Sequence, residues 1–211
     1  HIDSLVGVSS ADFGAAVGYP VIRGMSGNRV RVLTNGMAAR DVSSLGPDHA
    51  LNIDLTDVKQ IEIIRGPSSL MYTNGNVAGI VNVVDETIPM SDIESPRGSI
   101  GFESQSVNDG EVVDLSLGGN FGGINLTYTY SDHDMENYEI PNGAVLDAHD
   151  DHEGDHEDEH EHSDGHHSDM GMLANSDVAS TNHRFGISTT GDWGYVGLSY
   201  SDLTNEYGIP Y

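Results

Sequence analysis

A run of histidine and acidic residues is the part of the sequence with the clearest chemistry. Residues 147–169 hold 7 His and 11 Asp or Glu among 23 positions, and Ala148 is their one apolar side chain. Imidazole combined with carboxylate is typical of sites for zinc and other late first-row divalent ions, whereas calcium and magnesium sites use oxygen ligands. We therefore predict that this histidine-acid segment binds divalent metal ions, with zinc as the first candidate.

The spacing of the histidines indicates many weak sites. Three of them lie four residues apart, so a bound metal could nucleate a helical turn. The remaining histidines add redundant ligands, which favours exchanging sites over one rigid tetrahedral cage. The candidate ligands of the segment are His149, His152, His156, His160, His162, His166 and His167.

The same segment contains two overlapping H-E-x-x-H patterns, beginning at His152 and His156. In zinc proteases this pattern lies on a helix that buries an apolar face. A tract of His and Glu produces such matches by chance and offers no apolar face here, so we predict no enzyme activity. A solvated acidic loop without a specific ligand remains an alternative. The seven histidines argue against it, because neutral imidazole adds no charge and so does not serve solubility.

The charge of the chain is uneven. Residues 1–90 hold 9 acids and 6 bases, residues 91–211 hold 25 acids and 2 bases, and the net charge is -26. Such a chain repels the phosphates of nucleic acid, so its charge favours a cationic ligand. The absence of cysteine excludes disulfides and thiolate metal sites.

Five segments after Pro89 alternate between apolar and polar residues. Their apolar sides carry Ile100 and Phe102; Val113, Leu115 and Leu117; Ile124, Leu126, Tyr128 and Tyr130; Phe185 and Ile187; and Val196, Leu198 and Tyr200. The opposite sides carry Glu103, Asp114, Asn125, Thr127, Thr129, Ser188 and Ser199. This pattern predicts antiparallel strands of a membrane barrel with a lipid-facing apolar surface. An open sheet with that surface exposed would aggregate, so further strands are expected.

The lengths of the connections predict sidedness. Residues 118–123 and 190–194 are tight turns on one side, whereas residues 105–111 and about 132–182 are the first and second connections on the other side, and the second of these is long. Outer-membrane barrels place short turns in the periplasm and long loops outside the cell. We therefore expect residues 132–182, including His133 as a further candidate metal ligand, to be extracellular.

The first ninety residues read as a mixed domain. Val58–Val84 predicts a strand, a turn with a short helix, a second turn and another strand. Residues 29–36 predict a hairpin that turns at Asn35-Gly36. Residues 1–17 are compatible with a helix end followed by an irregular connection.

Two stretches resemble one known family. Val58–Val84 follows the I-E-x-I-R-G-P-x-S-x-x-Y-x-x-G-x-x-x-G-x-V-N-V signature of the plug domain of TonB-dependent outer-membrane receptors, and Ile22–Gly36 resembles an earlier part of that domain. The resemblance implies an α+β plug domain over residues 1–90. Residues 91–211 would then be the first antiparallel strands of a transmembrane β-barrel, as a fragment of a barrel of roughly 22 strands. It also implies a monomer in contact with outer-membrane lipid and energised by the TonB complex.

Two shorter stretches resemble the subgroup of these receptors associated with zinc uptake. They are Ser44–Ala50, which contains Asp48-His49, and Val83–Pro89. The resemblance implies that Asp48 and His49 are metal ligands on the plug and that zinc is the transported ion, with other divalent ions possible. Two alternatives stay open: a siderophore, haem or copper complex as the cargo, and a surface metal buffer or adhesin without transport.

Overall fold

The computed structural model describes residues 6–12, 17–38, 49–51, 53, 55–66, 77–141 and 171–210. Within these ranges the chain forms three sheets: an antiparallel strand pair, a four-stranded mixed sheet and a five-stranded antiparallel sheet. The first two belong to the N-terminal part, here called the plug, and the third is called the wall. None of the helices in the described ranges is long and apolar enough to cross a membrane.

The strand pair consists of β1 (Val8–Asp12) and β2 (Gly18–Ile22). Val8 is paired with Ile22, and both side chains are buried. The expected helix end is therefore wrong for residues 8–12. Ser9 and Ser10 favour extended backbone over helix because serine competes with helical hydrogen bonds, and β2 supplies the hydrogen-bonding partner.

The four-stranded sheet has the order β4-β3-β6-β5. Its strands are β3 (Val30–Thr34), β4 (Met37–Ala38), β5 (Val58–Arg65) and β6 (Gly79–Asp85), with a short 3-10 helix at Gly27–Arg29 before β3. β3 and β6 are parallel, and the other pairs are antiparallel. The strand predictions within Val58–Val84 are confirmed, while the short helix expected between them falls outside the described residues.

The predicted hairpin at Asn35-Gly36 is present between β3 and β4. Both residues have positive φ, 51° and 79°, which is the backbone that a two-residue hairpin turn requires. Asn35 also has a tertiary role, because its side-chain amide donates a hydrogen bond to Asp85 at 2.9 Å.

Two small apolar clusters hold the plug together. The first cluster consists of Ile22, Val30, Ala78 and Val81. It packs the end of β2, at Ile22, against the four-stranded sheet. The second cluster contains Val17, Tyr19 and Ala50, and Tyr207 of the wall packs against it. The second cluster therefore connects the plug to the wall.

The wall is a meander of five antiparallel strands in the order of the chain. They are β7 (Arg97–Gln105), β8 (Gly110–Phe121), β9 (Ile124–Met135), β10 (Val178–Gly191) and β11 (Gly194–Tyr207). Each predicted alternating segment lies inside one strand. The turns at 122–123 and 192–193 are tight, as expected.

The two faces of the wall have opposite chemistry, which confirms the alternation. The outer face exposes apolar side chains such as Phe102 and Leu198, each 74% exposed. The inner face buries Asn125, Thr127, Thr129 and Ser188 against the plug. Thr127 donates a hydrogen bond to the Thr87 carbonyl at 2.6 Å, and Ser188 donates one to the Pro89 carbonyl at 2.7 Å.

The long connection is shorter than predicted. β9 continues to Met135 and β10 begins at Val178, so the connection spans residues 136–177 rather than 132–182. His133 is consequently a strand residue, aligned with Val112 of β8 and Ser180 of β10. Polar residues at these strand ends break the apolar alternation, but the backbone hydrogen bonds of the sheet continue.

Candidate functional site

Most of the predicted metal ligands lie outside the described residues. Asp48 belongs to this group, and so do all seven histidines of the histidine-acid segment: His149, His152, His156, His160, His162, His166 and His167. The described candidates are His49 and His133. Among the residues that the structure describes, no group of three or more His, Asp or Glu side chains is arranged to hold a metal ion.

His49 lies where the plug meets the end of the wall that is opposite the tight turns. Its backbone carbonyl accepts a hydrogen bond from the Tyr19 hydroxyl. The amide of the next residue, Ala50, donates to the Tyr207 hydroxyl at 3.0 Å. Tyr207 ends β11 and is aligned with Val178, where the long connection 136–177 returns to the wall. His49 therefore lies at the end of the wall from which the long connection emerges.

His133 lies on the inner face of the wall. Its Nε2 atom is 3.9 Å from Oδ1 of Asp114, and the side chains are 36% and 38% exposed. Asp114 also accepts a hydrogen bond from the Thr56 hydroxyl of the plug at 3.2 Å. The pair thus brings an imidazole and a carboxylate together at the boundary between plug and wall. His49 and His133 stay separate predictions, since nothing described joins them.

A buried ion pair connects the last strand of the plug to the wall. Arg184 of β10 donates to Oδ2 of Asp85 at 2.9 Å, and the two side chains are 8% and 4% exposed. The same guanidinium donates to the Thr56 carbonyl. Arg184 therefore contacts two separate segments of the plug, and we call this group the plug anchor.

The environment of Asp85 favours its charged form. Burial by itself raises the pKa of this carboxyl, but hydrogen bonds from Asn35 and Thr87 and the charge of Arg184 outweigh burial. The pKa of Asp85 is consequently lower than its ordinary value of 3.8. The plug anchor is thus an ionised pair at neutral pH.

The second base of the wall has a similar partner. Arg97 of β7 lies 2.6 Å from Glu86, which also pairs with Lys59. The hydrogen bond from Lys59 is the main reason why the pKa of Glu86 is lowered, and Arg97 adds to the effect. Arg97 and Arg184 are the 2 bases of residues 91–211. Both are therefore paired with consecutive acids at the end of the plug.

A cavity of about 420 Å³ lies beside the plug anchor, between the plug and strands β10 and β11. Asp85 and Arg184 line it together with small polar side chains of β11, namely Ser199 and Ser201. Met37 and Met90 are on the plug side. The cavity is polar on the wall side and offers space for solvent or a small solute.

Sequence reasoning missed the plug anchor. In the sequence, Asp85 stands out only as part of a stretch similar to zinc receptors, and Arg184 only as one of two bases in an acidic half. The scarcity of bases in this half is the signal that could have indicated the ion pair. A buried Arg among so many acids is expected to have an acidic partner. Which acid it meets could not be read from positions 99 residues apart.

Comparison with known proteins finds a similarity in the N-terminal part. The TonB-dependent Receptor Plug Domain family matches residues 2–80. Transferrin-binding protein A of Neisseria meningitidis serogroup B is 31% identical over an alignment of 133 residues that covers 56% of this chain and 14% of that protein. A hemin receptor of Yersinia enterocolitica is 31% identical over 85 residues, or 40% of this chain and 12% of the receptor. The chain thus spans a small part of the relatives that it matches.

Solved structures of similar fold cover nearly the whole chain. The copper transporter OprC superposes with a TM-score of 0.71 at 19% identity, over 97% of this chain and 27% of the transporter. The FrpB iron transporter from Neisseria meningitidis gives 0.66 at 15% identity, over 94% and 27% of the two chains. At these identities the likeness establishes the fold: a plug followed by antiparallel barrel strands.

Proposed function

We propose that the whole protein imports a divalent metal ion, with zinc as the cargo. The premise is that residues 2–80 match the TonB-dependent Receptor Plug Domain family and that the whole chain has the fold of solved transporters, a plug followed by antiparallel barrel strands. The protein is located in the bacterial outer membrane. Import would be driven by the TonB complex of the inner membrane, and the receptor would act as a monomer surrounded by outer-membrane lipid. Its role would be transport rather than catalysis.

The observation that carries the proposal is the histidine-acid segment, with 7 His and 11 acids in 23 residues. It lies within the connection 136–177, which leaves the wall at the end opposite the tight turns. In outer-membrane barrels this end faces the outside of the cell. The segment would therefore capture metal ions outside the cell and raise their concentration above the plug.

The charge of the wall supports a cation as the cargo. Both bases of residues 91–211 are paired with plug acids, so neither guanidinium is available to hold an anionic chelate. The position of His49 at the upper junction of plug and wall supports a handover from the segment to Asp48 and His49. Together these features favour a bare divalent ion.

Two alternatives remain. The cargo could be a siderophore, haem or copper complex, in keeping with the similarity to a hemin receptor and a copper transporter. The protein could instead be a surface metal buffer or adhesin that does not transport. The first alternative changes only the cargo, whereas the second removes the need for the plug and for TonB.

Uptake of radioactive zinc by cells that express the full-length receptor tests the proposal. We expect accumulation that requires TonB and that excess unlabelled zinc suppresses, while haem and ferric chelates do not. Suppression by haem or a ferric chelate would favour the first alternative. Zinc that is retained at the surface equally with and without TonB would favour the second.

Two variants separate capture from handover. His49→Ala should lower high-affinity uptake and leave the weak surface binding of zinc intact. Deletion of residues 147–169 should remove the weak binding and reduce uptake only at scarce zinc. If His49→Ala matches the wild type in both measurements, His49 is not a ligand.

A further inference from the structure

The inner face of the wall presents His133 and Asp114 side by side. The register of β8 and β9 pairs Val112 with His133 and Asp114 with Ser131, so the two side chains are diagonal neighbours on one face. Their facing atoms, Nε2 and Oδ1, are 3.9 Å apart. Both side chains are about one third exposed, so an ion in the lumen can reach them.

Asp114 has no Arg or Lys partner in the described part of the chain. Its hydrogen-bonding partner is the neutral hydroxyl of Thr56. Arg97 and Arg184 are engaged with Glu86 and Asp85. Glu103, which pairs with Val112 across β7 and β8, adds a second carboxylate to the same face. The site is therefore short of positive charge.

The spacing of the pair suits a metal ion. A tetrahedral zinc ion bound to N and O atoms at about 2.0 to 2.1 Å holds those ligand atoms about 3.3 Å apart. The observed separation of 3.9 Å closes to that value by small side-chain rotations. Two protein ligands leave the other positions to water, which favours brief binding and release over retention.

We propose that His133 and Asp114 form a binding site for a divalent cation on the inner wall, and that a bound cation competes with Thr56 for the Asp114 carboxylate. The proposal rests on the proposed function, since the imported ion would be the occupant. It adds a site below the extracellular segment and separate from Asp48 and His49.

Occupancy of this site would act on the plug anchor. Thr56 is held by residues of the wall: its hydroxyl donates to Asp114, and its carbonyl accepts from Arg184. Asp57, the next residue, has a positive φ of 59°, a conformation that costs energy for a residue other than glycine. A cation that takes Asp114 from Thr56 would remove one of the contacts that hold this strained turn to the wall.

Zinc titration of the purified full-length receptor tests the site. The outer face supplies controls of the same residue types: Asp132 lies on β9 and His183 on the neighbouring strand β10, and both side chains are on the face that points away from the plug. We expect Asp114→Asn and His133→Gln to weaken one zinc site, since loss of a ligand should cost at least the 10- to 100-fold typical of loss of a supporting group. Asp132→Asn and His183→Gln should titrate like the wild type.

A third variant tests the competition. Thr56→Val removes the competing hydroxyl and should tighten the same zinc site, and the tightening should vanish when Asp114→Asn is added. Barrel assembly of every variant is checked by its heat-modifiable migration in gels. The site is refuted if all inner-face variants assemble and bind zinc like the wild type. The competition is refuted if Thr56→Val leaves the affinity unchanged.

The outcome is distinguishable from failure of the proposed function. If wild-type cells import no zinc but the titration identifies the inner site, the cargo assignment fails and the cation site stands. If wild-type cells import zinc while Asp114→Asn and His133→Gln titrate normally, the inner site fails and zinc import stands.

Discussion

The inner and outer faces of the wall use the same residue types for different purposes. On the inner face, His133 and Asp114 meet the plug through Thr56. On the outer face, His183 packs against Tyr130 at 4.9 Å between ring centroids, and Asp132 accepts a hydrogen bond from Thr181 at 2.8 Å. Both outer residues are satisfied by neighbours within the wall. Successive residues of a strand point to opposite faces of the sheet. The position of a polar residue along its strand therefore decides whether its side chain faces the plug and what it contacts.

The difference extends to packing. Inner-face positions are small where the plug comes close: a Cβ on Gly186 would overlap the Thr87 carbonyl. Outer-face positions have no plug to accommodate and carry large apolar side chains such as Phe185. The side chains of the inner face thus fit against the plug, and those of the outer face suit the apolar lipid.

The largest expected effect comes from breaking the buried contact of the inner face. Arg184→Met leaves Asp85 without its cation, and removal of one partner of a buried ion pair costs about 3–5 kcal/mol. Hydrogen exchange of the full-length receptor should show faster exchange of the β6 amides.

Arg97→Met is the matched control, because Arg97 and Glu86 are 49% and 31% exposed and an exposed pair is worth about 0–1 kcal/mol. Equal effects of the two substitutions would show that burial of Arg184 does not matter.

The next effect tests the outer face. Leu198→Arg puts a charge into the apolar surface and should cost about 2–4 kcal/mol if the residue is near the middle of the bilayer. Folding of the full-length receptor into lipid vesicles, followed by denaturant titration, measures this cost.

Ser199→Arg is the control on the same strand, since Ser199 faces the cavity beside the plug anchor. It should perturb folding less than Leu198→Arg. A larger penalty at Ser199 would reverse the assignment of the two faces.

The smallest effect concerns pH. The pKa of Asp85 is lowered in the folded protein, so its contribution to stability is complete above its unfolded pKa and is lost as pH falls through the folded value. Thermal unfolding of the full-length receptor should show this contribution unchanged from pH 7 to about 5 and fading only below about 4.

Asp85→Asn should remove that acid-dependent part of the stability. If the difference between the wild type and Asp85→Asn already disappears near pH 6, Asp85 is not the group responsible, because histidine titrates there.

Several features could be predicted from the sequence because they depend on local patterns. The alternation from Ile124 to Tyr130 assigned the two faces of β9, since strand geometry sends successive side chains to opposite sides. Asn35-Gly36 predicted its hairpin through the backbone conformations that these residues tolerate. The composition of residues 147–169 predicts metal binding, which stays a prediction because these residues lie outside the part of the chain that the structure describes.

Other features depended on the tertiary structure. β9 reaches Met135 because Asp132, His133 and Asp134 continue to pair with β8 and β10, although their polarity suggested a loop. The contact of Arg184 with Asp85 and Thr56, and the approach of His133 to Asp114, follow from strand register and the seating of the plug. Register and docking are set by hydrogen bonds and packing between distant segments, and a local pattern of residues contains neither.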